Sequence, residues 1–300
     1  MEVSGGVRIL APIDQRSSAA SSWRAEDERG SPLVVRFIYL LHWGDYGEKM
    51  DARPAAEESL RNLTLLPGCR PPEGIVPWRS VELSKDRTMV AAVRPFLRGR
   101  LWDDYANLRK HPTVVPPADL KQAFVRLGRA LDALHAAHPD PQPRLKPNNL
   151  VSDGRDAWLS DSGLDALLRV SSDADAGPRR TVWDPINWVL GLPGGMKSPF
   201  PGDGARRTQA ELAAAYFALR TGLPVLYRDA RQPIDDPWAV EDEHKKYLAS
   251  GALRLDPLTN ELERECLARA LSVDPEARFA SCAEFASTLP SFNPPSSPHR

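Results

Sequence analysis

The chain has 300 residues, with 39 Lys and Arg against 40 Asp and Glu, and 42% of its residues are hydrophobic. That length allows one large domain or two lobes with a sizeable core. The near-zero net charge argues against a dedicated binder of nucleic acid or of membrane surfaces.

Proline is frequent, 29 residues, which implies many stiff or helix-terminating loops. Cys69, Cys266 and Cys282 are widely spaced and form no Cys-x-x-Cys pair. A reducing cytosol is the simple reading, and no zinc site is expected. The opening "MEVSGGVRIL" lacks a basic region followed by a long apolar run, so no signal peptide is expected. No apolar stretch reaches the roughly 18 residues of a membrane span. These features predict a cytoplasmic protein with neither nucleic-acid nor membrane partners.

In chain order, "VRILAPI" and "SPLVVRFIYLL" read as strands: short aliphatic runs bounded by Gly, Ser and Pro. "RPAAEESLRNLTLL" reads as a short helix, and "TMVAAVRPFL" as a buried strand. After about Gly99 the period changes. In "PPADLKQAFVRLGRALDALHAAH" the apolar residues Leu120, Phe124, Leu127, Leu131 and Leu134 recur at helical spacing. Pro116 and Pro117 stand where a helix can begin, because its first turn needs no N–H donor. Residues 169–207 are rich in Gly, Pro, Ser and Asp, a length unusual for a passive connector. "QAELAAAYFALRTG" predicts a helix ending at Gly222. "NELERECLARAL" predicts another, with Asn260 and Glu263 spaced as a capping box, and Ser281 and Glu284 repeat the device. Strands precede helices, which predicts an α+β protein. The tail "PSFNPPSSPHR" predicts disorder.

The stretch that carries chemistry is "RLKPNNLVSDGRDAWLSDSGL", Arg144 to Leu164. "NLV" and "AWLS" around "SDGRD" predict a hairpin. It would bring Asn149, before the first strand, near Asp161, after the second. An amide oxygen beside a carboxylate is a hard oxygen pair suited to Mg²⁺ and the phosphates it carries. Lys146 adds a positive charge three residues before Asn149. Spacing alone equally allows a polar hairpin with solvated ends, since Asn and Asp are ordinary turn residues.

This stretch resembles the catalytic loop and metal-binding triplet of eukaryotic-like serine/threonine protein kinases, His-Arg-Asp-Leu-Lys-Pro-x-Asn and Asp-Phe-Gly. Leu145, Lys146, Pro147, Asn149, Asp161 and Gly163 agree with that pattern. Gln142, Pro143 and Arg144 replace His, Arg and Asp, and Ser162 replaces Phe. "ALDALHAAH" resembles the preceding helix, and "LARALSVDPEARFASCAEF" the end of bacterial members. The resemblance implies a bilobal protein-kinase-like fold over residues 6–290. A small β-rich N-lobe would cover about 6–96 and a larger α-helical C-lobe about 100–290, with 291–300 as the disordered tail.

The departures shape the functional expectation. In the family the loop Asp accepts the substrate hydroxyl proton. Arg144 takes its place, and a guanidinium offers no acceptor. Losing a positioned base costs on the order of 10²–10⁴ in rate. Arg36, in "PLVVRF", stands at the family's nucleotide Lys, and either Glu57 or Glu58 could pair with it. The expected glycines of the phosphate loop fall at Gln15, Ser17 and Ala20, where none is present; glycine serves there by letting backbone approach phosphate. Thr208 replaces the Asp that opens the family's bracing helix. Arg278 matches a structural Arg whose usual Glu partner is missing from the nearest segment, "KSPF".

The resemblance therefore implies a pseudokinase that binds or regulates a signalling partner, such as another kinase, with 169–207 as the contact region. ATP and Mg²⁺ binding is expected to be weak or absent. The alternative is an active ATP-dependent serine/threonine kinase with rearranged groups, in which Asp140 could orient the hydroxyl. A third reading, phosphate transfer to a small molecule, fits the Lys146-Pro147 pair and the C-terminal helices less well.

Overall fold

The computed structural model describes residues 2–3, 6–14, 20–43, 49–51, 53, 56–57, 60, 71–98, 100–101, 117–138, 145, 149–153, 156–160, 162, 200–223, 225–226 and 245–291. The chain is α+β, with an antiparallel N-terminal sheet and a helical C-terminal part. It divides into two compact units: Met1–Pro71, Ile75–Arg98 and Asp161–Arg180 form the first, and Pro72–Gly74, Gly99–Ser160 and Thr181–Arg300 the second.

The first unit is built on strands β1 (Glu2–Val3), β2 (Val7–Asp14), β3 (Ala20–Glu26), β4 (Pro32–Tyr39), β7 (Ser80–Leu83) and β8 (Met89–Pro95), in the order β1-β2-β3-β4-β8-β7. All neighbours are antiparallel. Strands β5 (Leu41–Trp43) and β6 (Lys49–Asp51) form a separate hairpin.

The sheet's order follows from its turns and its apolar faces. The β3–β4 turn is closed by Asp27, whose Oδ1 accepts the N–H groups of Arg29 and Ser31 at 3.0 and 2.9 Å, an Asx-type turn. Arg79 donates to the other oxygen at 2.8 Å. This hydrogen bond, with the Ser31 N–H behind it, holds the Asp27 carboxyl well below the usual carboxylate range. Strand β4 lies between β3 and β8 and is apolar on both faces, which explains its nearly unbroken hydrophobic run. Leu33, Val35 and Phe37 point into a cluster with Val7, Ala25, Ala91 and Val93. Ile38 and Leu40 point the other way, packing with Ala56, Trp78, Val90 and Ala92. Residues 53, 56, 57 and 60 of the predicted short helix are helical.

The second unit holds α1 (Pro117–Ala137), α2 (Gly204–Thr221), α3 (Glu261–Ala270) and α4 (Cys282–Thr288). A small sheet of β9 (Arg100–Leu101), β10 (Leu150–Ser152) and β11 (Ala157–Leu159) has the order β11-β10-β9. Helix α1 packs on α4, α2 and β11, and α2 packs on α3 and α4. The five leucine and phenylalanine positions read from the sequence of α1 are all buried.

Two close approaches set this packing. Gly128 of α1 lies against the backbone of α4: a Cβ there would stand 2.7 Å from the Cys282 carbonyl oxygen. One turn later, the Asp132 carboxylate accepts the N–H groups of Cys282 and Ala283, each at 2.9 Å. It thereby satisfies donors that a helix start leaves open. Gly74, at φ 91°, lies 2.9 Å in projected Cβ distance from the Ala130 Cβ, and its carbonyl accepts the Leu159 N–H at 2.8 Å.

Helix α2 ends at Gly222 as predicted, with φ 74° and its N–H bonded to the Ala218 carbonyl. It begins at Gly204, five residues before "QAELAAAYFALRTG". The capping boxes form only by half. Asn260 accepts the Glu263 N–H and Ser281 the Glu284 N–H, at 3.0 and 3.1 Å. The return bonds go elsewhere. Glu263 is drawn into the core by Tyr216 and Arg220, and Glu284 accepts from Ala280 instead of Ser281. Predicted disorder at 291–300 falls, beyond Ser291, outside the described residues.

Candidate functional site

The predicted hairpin is present. Strand β10 pairs antiparallel with β11, Leu150 facing Leu159 and Ser152 facing Ala157. Its connection is closed by short-range polar bonds: Asp153 Oδ1 accepts the Asp156 N–H at 2.7 Å, and Ser152 Oγ donates to the Asp156 carbonyl at 2.8 Å. Arg126 of α1 pairs with the Asp156 carboxylate. The apolar anchors are Leu145, Leu150 and Leu159, all buried.

The open end of the hairpin carries the candidate chemistry. Asn149 is buried, and its main-chain carbonyl accepts from Ser160 twice, from the N–H at 2.7 Å and from Oγ at 3.1 Å. Register therefore brings Asn149 beside Ser160, the residue preceding Asp161 in the chain. Arg144, Lys146, Asp161 and Glu58 lie outside the described residues, as do Gln15 and Ser17. Among the described residues, no three of His, Cys, Asp and Glu gather as a metal-binding group.

In the first unit, Arg36 sits at the middle of β4, between Ser22 of β3 and Ala92 of β8. Strand alternation places it on the same side as Ile38, the side covered by the cluster containing Ala56. Its Nη1 donates to Ser22 Oγ at 3.2 Å. Glu57 forms an ion pair with Arg87, at the β7–β8 turn. Ala20 opens β3 opposite Ile38.

The second unit contains two supporting arrangements. Thr208 of α2 is buried and hydrogen-bonds His135 Nε2 of α1 at 3.0 Å, so a neutral hydroxyl ties these helices together. Arg278 is also buried, and carbonyls surround its guanidinium: Nε donates to Ser272, and Nη1 to Pro201 and Arg206, at 2.8, 2.8 and 3.0 Å. Burial pulls its pKa down from the usual value. Pro201 directly follows "KSPF", the segment in which the sequence offers no carboxylate. The main chain supplies the acceptor there instead.

No family model matches the chain, and no curated protein matches it significantly.

Sequence reasoning missed Trp78. It stands in the apolar stretch "GIVPW", is buried, and its indole Nε1 donates to the Ser162 carbonyl at 2.7 Å. A lone aromatic in an aliphatic run carries a packing signal only; its polar edge becomes informative once a buried acceptor is found. Ser162 is buried, and its hydroxyl has no hydrogen-bond partner among the described residues.

Proposed function

We propose that the chain is a degenerate member of the eukaryotic-like serine/threonine protein kinases: a bilobal pseudokinase that binds or regulates a signalling partner. The observation that carries this reading is Arg144 at the place of the catalytic carboxylate, within a segment otherwise spaced as a phosphate-handling loop. A guanidinium holds its proton at any working pH and cannot collect another.

Several features support the reading. The sheet order β2-β3-β4-β8-β7, with helical residues between β4 and β8 in the chain, is compatible with a kinase-like N-terminal lobe. Arg36 lies on the sheet face that packs against Ala56, next to Glu57 in sequence. The hairpin bonds Asn149 to Ser160. The donor chemistry of Asn149 and Asp161 suits Mg²⁺, which would neutralise nucleotide phosphates there. Lys146 would supply a further positive charge, and Arg36 would replace an ammonium by a bulkier planar cation. Fold alone does not decide function; the side chains at these positions do.

Retention of Lys146, Asn149 and Asp161 favours a second reading, an active kinase with another carboxylate orienting the hydroxyl. One experiment separates the two. Melting is followed with and without Mg·ATP, and phosphate transfer to a general protein substrate is measured, for the wild type and for Asp161→Ala. A tight site would stabilise the protein by about 2.7 kcal/mol at a hundredfold excess over the dissociation constant. The expected result is a small shift or none, and no transfer above the Asp161→Ala background. Sustained transfer that vanishes in Asp161→Ala would establish the second reading and overturn the first.

A further inference from the structure

Strand β2 forms most of one edge of the six-stranded sheet. Strand β1 pairs with Val7 and Arg8 alone, and among the described residues no strand pairs with the outer side of Ile9 to Asp14. This open edge is apolar. Leu10, Ala11, Pro12 and Ile13 are all exposed, Leu10 by 52% and Ile13 by 37%. Four consecutive exposed apolar residues are out of place in a strand that binds nothing. Pairing with β3 explains how the two large side chains come to lie outside. The register slips between Ile9 and Ala11 and again between Pro12 and Asp14. Between Arg8 and Asp14, Leu10 and Ile13 are therefore the two residues with no partner on β3, and a bulge re-aims the side chain it carries. Bulges and a proline also interrupt the ladder, which hinders open-ended addition of further strands. What remains is a short apolar strip to be covered by side chains rather than by a continuous ladder.

We propose that a second copy of this chain covers the strip, its β2 antiparallel to the first about a two-fold axis at Ala11. The run Arg8-Ile9-Leu10-Ala11-Pro12-Ile13-Asp14 is complementary to itself in that register. Ala11 meets Ala11, Leu10 stands opposite Pro12, Ile9 opposite Ile13, and Arg8 opposite Asp14 at both ends. A shift by one residue would set Asp14 against Ile9. Arg8 pairs with Glu26 through one nitrogen, yet its side chain is 72% exposed, so it keeps donors for a second carboxylate. An isologous contact of this kind closes as a dimer. Four exposed residues a side fall short of the roughly 800 Å² per partner of a stable interface, so the dimer is weak and depends on concentration. The contact stands whether or not the chain has kinase-like chemistry.

The test is sedimentation equilibrium of the full chain from about 10 µM to about 1 mM, the range in which a weak contact saturates. The mass should rise from 33.2 kDa towards twice that value. A wild type that stays monomeric throughout, or one whose mass passes that of the dimer, overturns the proposal. Leu10→Lys combined with Ile13→Lys puts charge on the strip and should abolish the rise. Both positions are exposed, so the melting temperature should hold. An undiminished rise in this variant overturns the proposal. Arg8→Asp creates two like-charge pairs by symmetry and should raise the dimer dissociation constant about tenfold. Adding Asp14→Arg reverses both pairs and should bring it back to within about threefold of the wild type. No recovery overturns the two-fold register. If the lysine variant fails to fold, the charge reversal decides.

Discussion

Buried charge in this molecule is held by a few specific residues. Glu263 is fully buried, and its Oε1 accepts from Tyr216 Oη at 2.7 Å and from Arg220 Nε at 3.1 Å. Its other oxygen finds no partner among the described residues. Burial, and then the adjacent carboxylate, pushes the Tyr216 phenol well above its usual range, so it remains a donor. A carboxylate taken out of water persists only when paired. Glu263→Ala should leave the Arg220 guanidinium without this acceptor and open a void beside Tyr216. A loss of about 3–5 kcal/mol is expected in urea unfolding, the range for breaking a buried pair by removing one partner. A loss below about 1 kcal/mol would mean that water or another group already compensates the charge. Glu263→Gln should cost less, since an amide oxygen still accepts from Tyr216.

At the scale of elements, the contact between α1 and α4 decides how closely the helices of the second unit pack. Gly128→Ala offers a gain of about 0.8–1.0 kcal/mol in helix propensity. Against it stands a Cβ 2.7 Å from the Cys282 carbonyl, whose peptide Asp132 holds in place through the Ala283 N–H. Overpacking of this kind costs about 1–3 kcal/mol. The net should be destabilising, seen as a lower melting temperature; a rise would mean that α4 shifts freely. The elements legible in the sequence were those with strong periodicity: α1 from its leucines, β4 and β8 from their aliphatic runs, and the β10–β11 hairpin from its turn. Strand β3, "ASSWRAE", has little apolar content; its place between β2 and β4 comes from hydrogen bonds on both edges. Strands β5, β6 and β9 have two or three residues each, too few for a period to show. In the candidate site, Asn149 and its hairpin were legible because turn chemistry is local. Trp78 was not, because its acceptor lies 84 residues away.

For the molecule as a whole, the two units respond to opposite ends of the pH scale. Burial raises the Cys266 thiol from 9.0 to about 12 and the Tyr247 phenol from 10.0 to about 12. Cys282 is also raised well above its usual value, by burial and by the nearby Asp132 carboxylate. All three belong to the second unit. Their folded-state values lie above the unfolded ones, so their contribution is complete below about pH 9 and is lost as pH climbs towards 12. In the first unit, Asp27 and Asp86 are lowered, chiefly by Arg79 and Ser84 respectively. Their contribution is present above 3.8, the ordinary value, and is lost as pH falls below it. Asp86 is exposed, and Asp27, though its side chain is only 11% accessible, is paired with a half-exposed Arg79, so solvent screening keeps that acid effect small. Proteolysis at about pH 10.5, mapped by mass spectrometry, should therefore release fragments of the second unit first. Early cleavage confined to the first unit would contradict this. The carbonyl cage around Arg278 carries an evolutionary consequence. Its acceptors on Pro201, Arg206 and Ser272 are main-chain atoms, which no side-chain exchange at those positions can delete. Sequence variation can erode the contact chiefly through one codon, that of the arginine itself, and the three acceptor positions are left open to drift.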